Sequence, residues 1–329
     1  MFIHKKIILI TLIILICFTS CKKDKEISYK SENQIALGTV CSIKMSENVS
    51  DDIFDNCFKI LSDVESELSR TKESSLISTL NKEKKIKVNQ EVFDLFKYSI
   101  DLAKKSDGKF NIAMGLVVSL WDIGGANPRV PNKAELESVN INYNEIKLDE
   151  KNLIIEIPIN MEIDLGALGK GYAADKLVSY LKSQKVNNAI INLGGNIVVI
   201  GEKNKNTSWI IGLQDPDVEN EIFSTLKVSD ISIVTSGTYE RFFYKDGIKY
   251  HHILDPDTLY PSQSDIKSST IIGENSLICD SLSTTCFLLG SQKALDLLDN
   301  FEGYYGFFML EDNSIIHSDD FDIEYDLIN

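Results

Sequence analysis

The chain has 329 residues, of which 43% are hydrophobic and 25% charged, so it can form the core of one large domain or two small ones. Its formal net charge of −15 argues against nucleic acid or an anionic membrane surface as the principal partner, because both need a basic binding face. An acidic protein can still bind a phosphorylated ligand when a metal ion screens the charge.

The N-terminus has the pattern of an export signal. The basic segment His4–Lys6 precedes an apolar run from Ile7 to Phe18, and small residues follow before Cys21. A cysteine directly after Thr-Ser and directly before KKDKE resembles the end of a lipoprotein signal, with Cys21 as the lipidated first residue. The alternative is an uncleaved membrane anchor, although the run is shorter than the span of about 20 residues that a bilayer requires.

Either alternative tethers the protein to the extracytoplasmic face of a bacterial membrane, on the periplasmic side. We therefore expect a signal peptide at 1–20, a polar tether at 21–34 and a single domain at 35–329. No internal repeat, Pro/Gly-rich linker or low-complexity tract divides that domain.

The elements that follow mix strands and helices. Alternation predicts strands at the ranges 34–45, 146–157, 188–200, 208–213, 222–234 and 241–254. Helical periodicity predicts helices at 50–70, 90–108 and 276–290, and a further helix, SQKALDLLDNF, precedes the strands GYYGFFMLED and SIIHSD. Because the order does not alternate strictly, we expect an α+β fold, with a central antiparallel or mixed sheet and flanking helices.

The cysteines of the predicted domain are interpreted as free and structural. No CxxC pair or Cys/His cluster occurs, so a zinc site is not expected. Cys279 and Cys286 lie seven residues apart, which places them as neighbours on one buried helix face. Pairing of Cys41 with another cysteine in an oxidising compartment is the alternative that the sequence leaves open.

A glycine-rich segment, IDLGALGKGYAADK at 163–176, lies between an apolar alternating run (152–163) and a helical pattern. The alternating run predicts a strand that ends near Asp164. Strand, glycine turn and helix start can direct backbone N–H groups at an anion. The P-loop pattern fails because Gly171 follows Lys170, and the spacing of Gly166, Gly169 and Gly171 does not match the dinucleotide fingerprint. By itself the segment favours a tight turn that lets a helix pack on a strand.

Three further segments carry polar or glycine signals. Gly194 and Gly195 interrupt a strand pattern, which predicts a bulge or a close approach by a ligand or by backbone. His251 and His252 precede an Asp-Pro step. Asp280 and Thr284 lie four residues apart on one helix face and offer oxygen ligands of the kind that magnesium prefers, although the pair in isolation favours a hydrogen bond on a helix surface.

Taken together, these segments resemble the FAD:protein FMN transferase (ApbE) family. The resemblance runs from about Ile35 to Leu310, with the motifs in the family order. The matching segments are LGT (37–39), ELSRTKESSLISTLN (67–81), SDGKFNIAMGLVVSLWDIGG (106–125), IDLGALGKGYAAD (163–175), NLGGNI (192–197), TSGTYERFF (235–243), HHILDPDT (251–258) and CDSLSTT (279–285). The glycine turn would then hold the pyrophosphate of a flavin dinucleotide.

The resemblance implies site residues at matching positions. A Mg²⁺ ion would be held by Asp280, Thr284 and the backbone carbonyl of Ala167. His252 would lie close to the phosphates, and either His252 or a nearby carboxylate is the predicted general base. Asp280 is the second predicted catalytic residue. The residues implied in contact with FAD are Leu37, Thr71, Lys109, Phe110, Asn111, Asp164, Lys170 and Leu254.

The family reaction implied is magnesium-dependent transfer of FMN from FAD to a threonine or serine hydroxyl of an exported redox protein, with release of AMP. Several positions depart from the family pattern. Thr71 replaces an aromatic residue, Asn111 an acidic one, Leu37 a methionine and Leu259 a glycine. We expect these changes to affect cofactor affinity, and the loop after Asp255 to turn differently.

Two other functions remain open from the sequence. With water as the nucleophile, the same site would hydrolyse FAD to FMN and AMP. A flavin-binding lipoprotein without catalytic activity is the third alternative. The Asp280 and Thr284 pair argues against this alternative, because passive binding of flavin does not need a metal ion at the scissile phosphate.

Overall fold

A computed structural model describes residues 27–319, 321 and 323–328. The predicted signal peptide (1–20) and the predicted lipidation site, Cys21, lie outside the described residues. Among the residues that are described, no helix has the length and apolar character needed to cross a bilayer.

The helices and strands of the described chain occur in mixed order. The helices are α1 (Asp51–Leu68), α2 (Leu76–Glu83), α3 (Gln90–Lys105), α4 (Gly115–Trp121), α5 (Lys133–Glu137), α6 (Gly169–Ser183), α7 (Ser276–Leu289) and α8 (Ser291–Leu298), with a 3₁₀ turn at Tyr143–Glu145. The strands are β1 (Tyr29–Ala36), β2 (Thr39–Ser46), β3 (Lys85–Lys87), β4 (Lys147–Asp149), β5 (Ile154–Glu156), β6 (Ala189–Leu193), β7 (Asn196–Ile200), β8 (Trp209–Gln214), β9 (Ile222–Val228), β10 (Ile231–Gly237), β11 (Phe242–Lys245), β12 (Ile248–His251), β13 (Ile266–Gly273), β14 (Tyr305–Leu310), β15 (Ile315–His317) and β16 (Tyr325–Leu327).

An eight-stranded sheet in the order β1-β2-β6-β7-β10-β13-β14-β15 forms the centre of the fold. Every neighbouring pair in it is antiparallel. Smaller sheets are formed by β16-β9-β8, by β3-β5-β4 and by the ribbon β11-β12. The predicted α+β class with a central antiparallel sheet is confirmed.

The two faces of the central sheet contact different layers. Because side chains alternate along a strand, Ile271 and Phe308 face the helices, while Ile272 and Phe307 face the sheet β16-β9-β8. The helical side contains the larger core, in which α1, α3, α6 and α7 are packed. The cysteines in this core are free and buried, as predicted: Cys41, Cys57, Cys279 and Cys286.

Helix boundaries agree with the sequence expectations to within about three residues. Helix α1 buries one apolar stripe, including Phe54, Leu61 and Leu68, since these residues recur on one face. The segment 109–125, for which only apolar and glycine content was noted, contains α4. Its Trp121 is fully buried and donates its indole N–H to the Leu259 carbonyl, 2.8 Å away.

Several predicted long strands are hairpins or pairs of strands. Gly194 and Gly195, with φ of +62° and +88°, form a two-residue turn between β6 and β7 rather than a bulge. The range 241–254 likewise contains the hairpin β11-β12, which turns at Asp246-Gly247 with both φ values positive. The ranges 146–157 and 222–234 each contain two separate strands.

Two boundaries were predicted wrongly. The alternating run 152–163 is a strand only over β5, eight residues short of Asp164, although Met161 and Ile163 are still buried. Alternating burial therefore continues without a ladder of hydrogen bonds. The range 21–34 was predicted as a tether, but from Tyr29 onward it forms β1, which is polar because it lies at the edge of the sheet.

Candidate functional site

A cavity of about 430 Å³ opens between the glycine segment, the first half of α7, the β1-β2 turn and the base of the β11-β12 ribbon. Every residue implied by the motifs lines this one cavity. They are Leu37, Thr71, Lys109, Phe110, Asn111, Asp164, Ala167, Lys170, His252, Leu254, Asp280 and Thr284. Segments far apart in the chain thus converge on one site.

The glycine segment brings the start of α6 against α7. A Cβ atom at Gly171 would lie 2.4 Å from the Ser276 carbonyl oxygen, so only glycine allows this approach. The Gly171 N–H donates to Asp280 Oδ2 at 2.8 Å. Asp175, at the end of the motif, accepts hydrogen bonds from the backbone N–H groups of Ser276 and Leu277 and so caps α7. The motif therefore joins the two helices.

The beginning of α6 also faces the cavity. No side chain caps this helix, and Gly166, Gly169 and Lys170 all line the cavity wall. The positive end of the helix dipole and Lys170 therefore act on the same space. Among the described residues, Lys170 Nζ has no ion-pair or hydrogen-bond partner, so its charge is available to an anionic ligand.

Asp280 and Thr284 lie on the cavity side of α7. Burial raises the pKa of Asp280 to about 6, against the opposing effect of Lys170. The carboxylate receives one backbone hydrogen bond and contacts no cationic side chain. Thr284 Oγ1 lies 3.2 Å from Ser236 Oγ, a second hydroxyl in the wall.

This donor set suits a hard cation. One carboxylate, one or two hydroxyls and the Ala167 carbonyl are oxygen ligands, which Mg²⁺ prefers, and a buried carboxylate without a cationic partner is stabilised by a metal charge. No cluster of three or more His, Cys, Asp or Glu residues occurs in the described parts of the chain. Carboxylate clusters alone would therefore not have identified the site.

Asp164 is held by residues on either side of the cavity. Its Oδ1 accepts the Gly166 N–H at 2.6 Å, and its Oδ2 pairs with Arg70 Nε at 2.8 Å. Arg70 Nη1 in turn donates to Ser119 Oγ on α4 at 2.9 Å. Asp164 therefore fixes the shape of the glycine turn, besides lining the cavity.

Lys109 is not free to act as a simple phosphate ligand. Its Nζ lies 2.6 Å from Asp255 Oδ1 and 2.9 Å from Asp257 Oδ2. The aspartates of the HHILDPDT motif thus neutralise Lys109 and hold the loop after β12 against the segment 109–111. Leu259 in this loop has φ of +61°, a conformation that glycine adopts without strain.

His252 is placed as a neutral base. Its ring is largely surrounded by protein but is open to the cavity at one edge, and burial, together with Arg241 and Lys170, lowers its pKa. Nδ1 lies 3.3 Å from the Arg241 carbonyl, which can only accept, so Nδ1 carries the hydrogen and Nε2 keeps a free lone pair. His251 instead lies beside the Ser262 carbonyl and stacks edge-on against Phe287, outside the cavity lining.

The sequence reasoning did not select several residues of the cavity wall, among them Arg70, Ser236, Glu240 and Arg241. All four stand inside or beside the quoted motifs, next to residues that were selected. Arg241 Nη2 lies 3.5 Å from the Gly38 carbonyl, which brings the β11-β12 ribbon to the β1-β2 turn. Their adjacency to motif residues is the signal that could have identified them.

Known proteins share both the sequence pattern and this architecture. The profile of the ApbE family matches residues 37–308. The FAD:protein FMN transferase of Treponema pallidum is 31% identical over 90% of this chain and 88% of its own length. That of Klebsiella pneumoniae is 37% identical over 71% and 73%.

Solved structures agree with this relationship. The crystal structure of the ApbE protein from Thermotoga maritima superimposes with a TM-score of 0.81 at 30% identity, covering 89% of this chain and 97% of that one. The family profile spans the β1-β2 turn, the glycine segment and α7, which are the parts that form the cavity. The chain belongs to the ApbE family.

Proposed function

We propose that this protein is a flavin transferase that moves FMN from FAD to a threonine or serine hydroxyl of an exported redox protein and releases AMP. The observation that carries the proposal is the convergence of Asp280, Lys170 and a neutral His252 on one cavity. The names of the relatives in Treponema and Klebsiella support the same activity.

Each residue has a role that follows from its surroundings. The acceptor hydroxyl oxygen attacks the phosphorus of the FMN half of FAD, and the bond from that phosphorus to the bridging oxygen breaks. AMP leaves with the bridging oxygen. The hydroxyl proton passes to Nε2 of His252, which is free because Nδ1 faces the Arg241 carbonyl.

Charge builds up on the phosphate oxygens and on the leaving AMP as the bond breaks. Lys170 and the uncapped start of α6 face these oxygens and neutralise them. Bound at Asp280, Thr284 and the Ala167 carbonyl, Mg²⁺ would supply further positive charge and orient the pyrophosphate.

The proposed location depends on the N-terminus. With Cys21 lipidated, the enzyme would stand on the periplasmic face of a membrane, close to exported or membrane-bound redox complexes. Metabolic labelling with a fatty-acid analogue tests this directly. Label that disappears in Cys21→Ala supports the anchor, and equal labelling of both proteins contradicts it.

The activity is tested with a soluble fragment starting after Cys21, FAD, Mg²⁺ and an exported redox protein that normally carries covalent FMN, purified without it. AMP release and in-gel flavin fluorescence of the acceptor are measured together. We expect both, and we expect Asp280→Ala to abolish both. The matched control is Asp296→Asn, an exposed carboxylate on α8 outside the cavity, which leaves both intact.

The alternatives give different results in the same assay. AMP and free FMN without a labelled acceptor, over a panel of acceptors, would identify a hydrolase. FAD binding without AMP release under any divalent metal would identify a flavin carrier.

A further inference from the structure

We propose that the free edge of β11 is the docking site for an extended segment of the acceptor protein, which adds to the β11-β12 ribbon as a third strand. The inference rests on the transferase activity proposed above. It concerns a surface outside the ligand cavity and identifies the chemistry of the segment that binds there.

The ribbon leads directly into the cavity. Arg241, immediately before β11, and His252, immediately after β12, both line the cavity wall. The His252 N–H donates to the Arg241 carbonyl at 3.1 Å, so the two strands remain paired up to the wall. A segment lying along this ribbon therefore reaches the general base without a turn.

The edge of β11 is available for pairing. The ribbon is a sheet of only two strands within the described residues. Since residues 241 and 252 form a hydrogen-bonded pair, the alternation of an antiparallel ladder directs the N–H and C=O groups of Phe242 and Tyr244 away from β12. These groups have no hydrogen-bond partner elsewhere in the described chain. Such an edge is a template for an added strand.

The side chains at this edge resemble an interface more than an ordinary surface. Phe242 is 42% exposed and Tyr244 66%. Phe242 and Tyr244 contact each other edge to face, with ring centroids 5.7 Å apart, and Lys249 Nζ lies 4.4 Å from the Phe242 ring centroid. Rigid exposed aromatic residues supply contact area at low entropic cost.

The other face of the ribbon is anchored. Phe243 and Tyr250 stack with centroids 5.4 Å apart, and Tyr250 contacts the buried Trp121. The ribbon is thus held in position before a partner arrives, and the exposed aromatic residues are not needed for its own packing.

A second exposed pair adjoins the same opening. Ile35 and Val40 face each other across the β1-β2 hairpin, 85% and 62% exposed, and the turn between them lines the cavity. Arg241 joins this turn to β11 through the Gly38 carbonyl. The mouth of the cavity is therefore bordered by apolar groups on two hairpins.

Charge indicates which segment fits. Lys245 and Lys249 on the ribbon are accompanied by a single acidic residue, Asp246, in a chain whose net charge is −15. We therefore infer an occupant with an extended backbone, apolar side chains at alternate positions, and acidic residues in the part that lies along the ribbon beside Lys245 and Lys249.

The test measures the KM for the unflavinylated acceptor protein in two variants. The double variant Phe242→Ser/Tyr244→Ser removes the aromatic side chains. The variant Tyr244→Pro removes an outward backbone N–H without disturbing the pairing with β12. We expect KM to rise by about ten-fold or more, since backbone hydrogen bonds and aromatic contacts are lost. The affinity for FAD, measured by flavin fluorescence, should be unchanged. The control is Ile210→Ser, a 70% exposed apolar residue on β8.

The possible results separate the two proposals. An unchanged KM in both ribbon variants overturns the docking site and leaves the transferase intact. A wild-type protein that releases AMP but labels no acceptor contradicts the transferase, and with it the docking site. A KM that rises equally in Ile210→Ser would show a general surface effect and would also overturn the assignment.

Discussion

The close approach of α6 and α7 at Gly171 provides a sharp structural test. A Cβ atom there would lie 2.4 Å from the Ser276 carbonyl oxygen, 2.7 Å from Leu277 Cα and 2.8 Å from Asp280 Cβ. Two of these three atoms belong to the backbone and cannot rotate away. Gly171→Ala must therefore separate the helices, and overpacking of this kind costs about 1–3 kcal/mol.

Gly169, two residues earlier on the same helix, is the matched control. A Cβ atom at Gly169 would have no neighbour within 4 Å. Alanine favours the helix more than glycine does. The free energy of unfolding of Gly169→Ala should therefore equal that of the wild type or exceed it by up to about 1 kcal/mol. The two variants thus make the same chemical change and are expected to have opposite effects.

Urea unfolding of the soluble fragment measures both effects, with the midpoint and slope fitted for each variant. Mg²⁺ affinity, measured by calorimetry, should fall in Gly171→Ala alone, because the Asp280 carboxylate moves with α7. If the two variants have equal free energies of unfolding, the helices do not meet as described and the reasoning fails.

Three further predictions concern single side chains. Asp280→Asn should stabilise the Mg²⁺-free protein at pH 7 by up to about 3 kcal/mol, because the folded-state pKa of Asp280 is raised to about 6 and the buried charge therefore costs stability. The gain should shrink as the pH falls through about 6 and vanish below about 4, the range of an unfolded aspartate, and unfolding curves at pH 7 and below pH 4 check it. His252→Asn should lower the transfer rate by about 10²–10⁴-fold with FAD affinity unchanged, and a full rate would remove the base from the mechanism. Lys170→Met should weaken FAD binding without loss of stability, since no ion pair is broken; a fall in the unfolding midpoint would contradict this.

Much of the fold was predictable because its periodicities are strong. Helices α1 and α3 follow from their apolar stripes, whereas α7 is buried on nearly every side. The glycine pairs and Asp-Gly steps carry the signal for two-residue turns, although Gly194-Gly195 was interpreted as a bulge or a close approach. The run 152–163 shows the limit of such patterns. Alternation indicates which side chains are buried, and burial of Met161 and Ile163 continues where the segment 112–115 pairs with the run through a single isolated bridge rather than a ladder.

The cavity was predictable residue by residue only through the family motifs. Pairings between distant segments were not visible, because nothing in the sequence joins Arg70 to Asp164 or Lys109 to Asp255. These ion pairs fix the glycine turn and the loop after β12. The tautomer of His252 likewise depends on a carbonyl eleven residues away.

The ratio of released AMP to flavin bound covalently to the acceptor is the most direct test of the central claim. Quantitative chromatography of AMP and absorbance of the washed, denatured acceptor supply the two amounts from one reaction. Transfer predicts one AMP for each flavin attached, with both lost in Asp280→Ala. AMP in excess, with FMN free in solution and none on the acceptor, would contradict transfer.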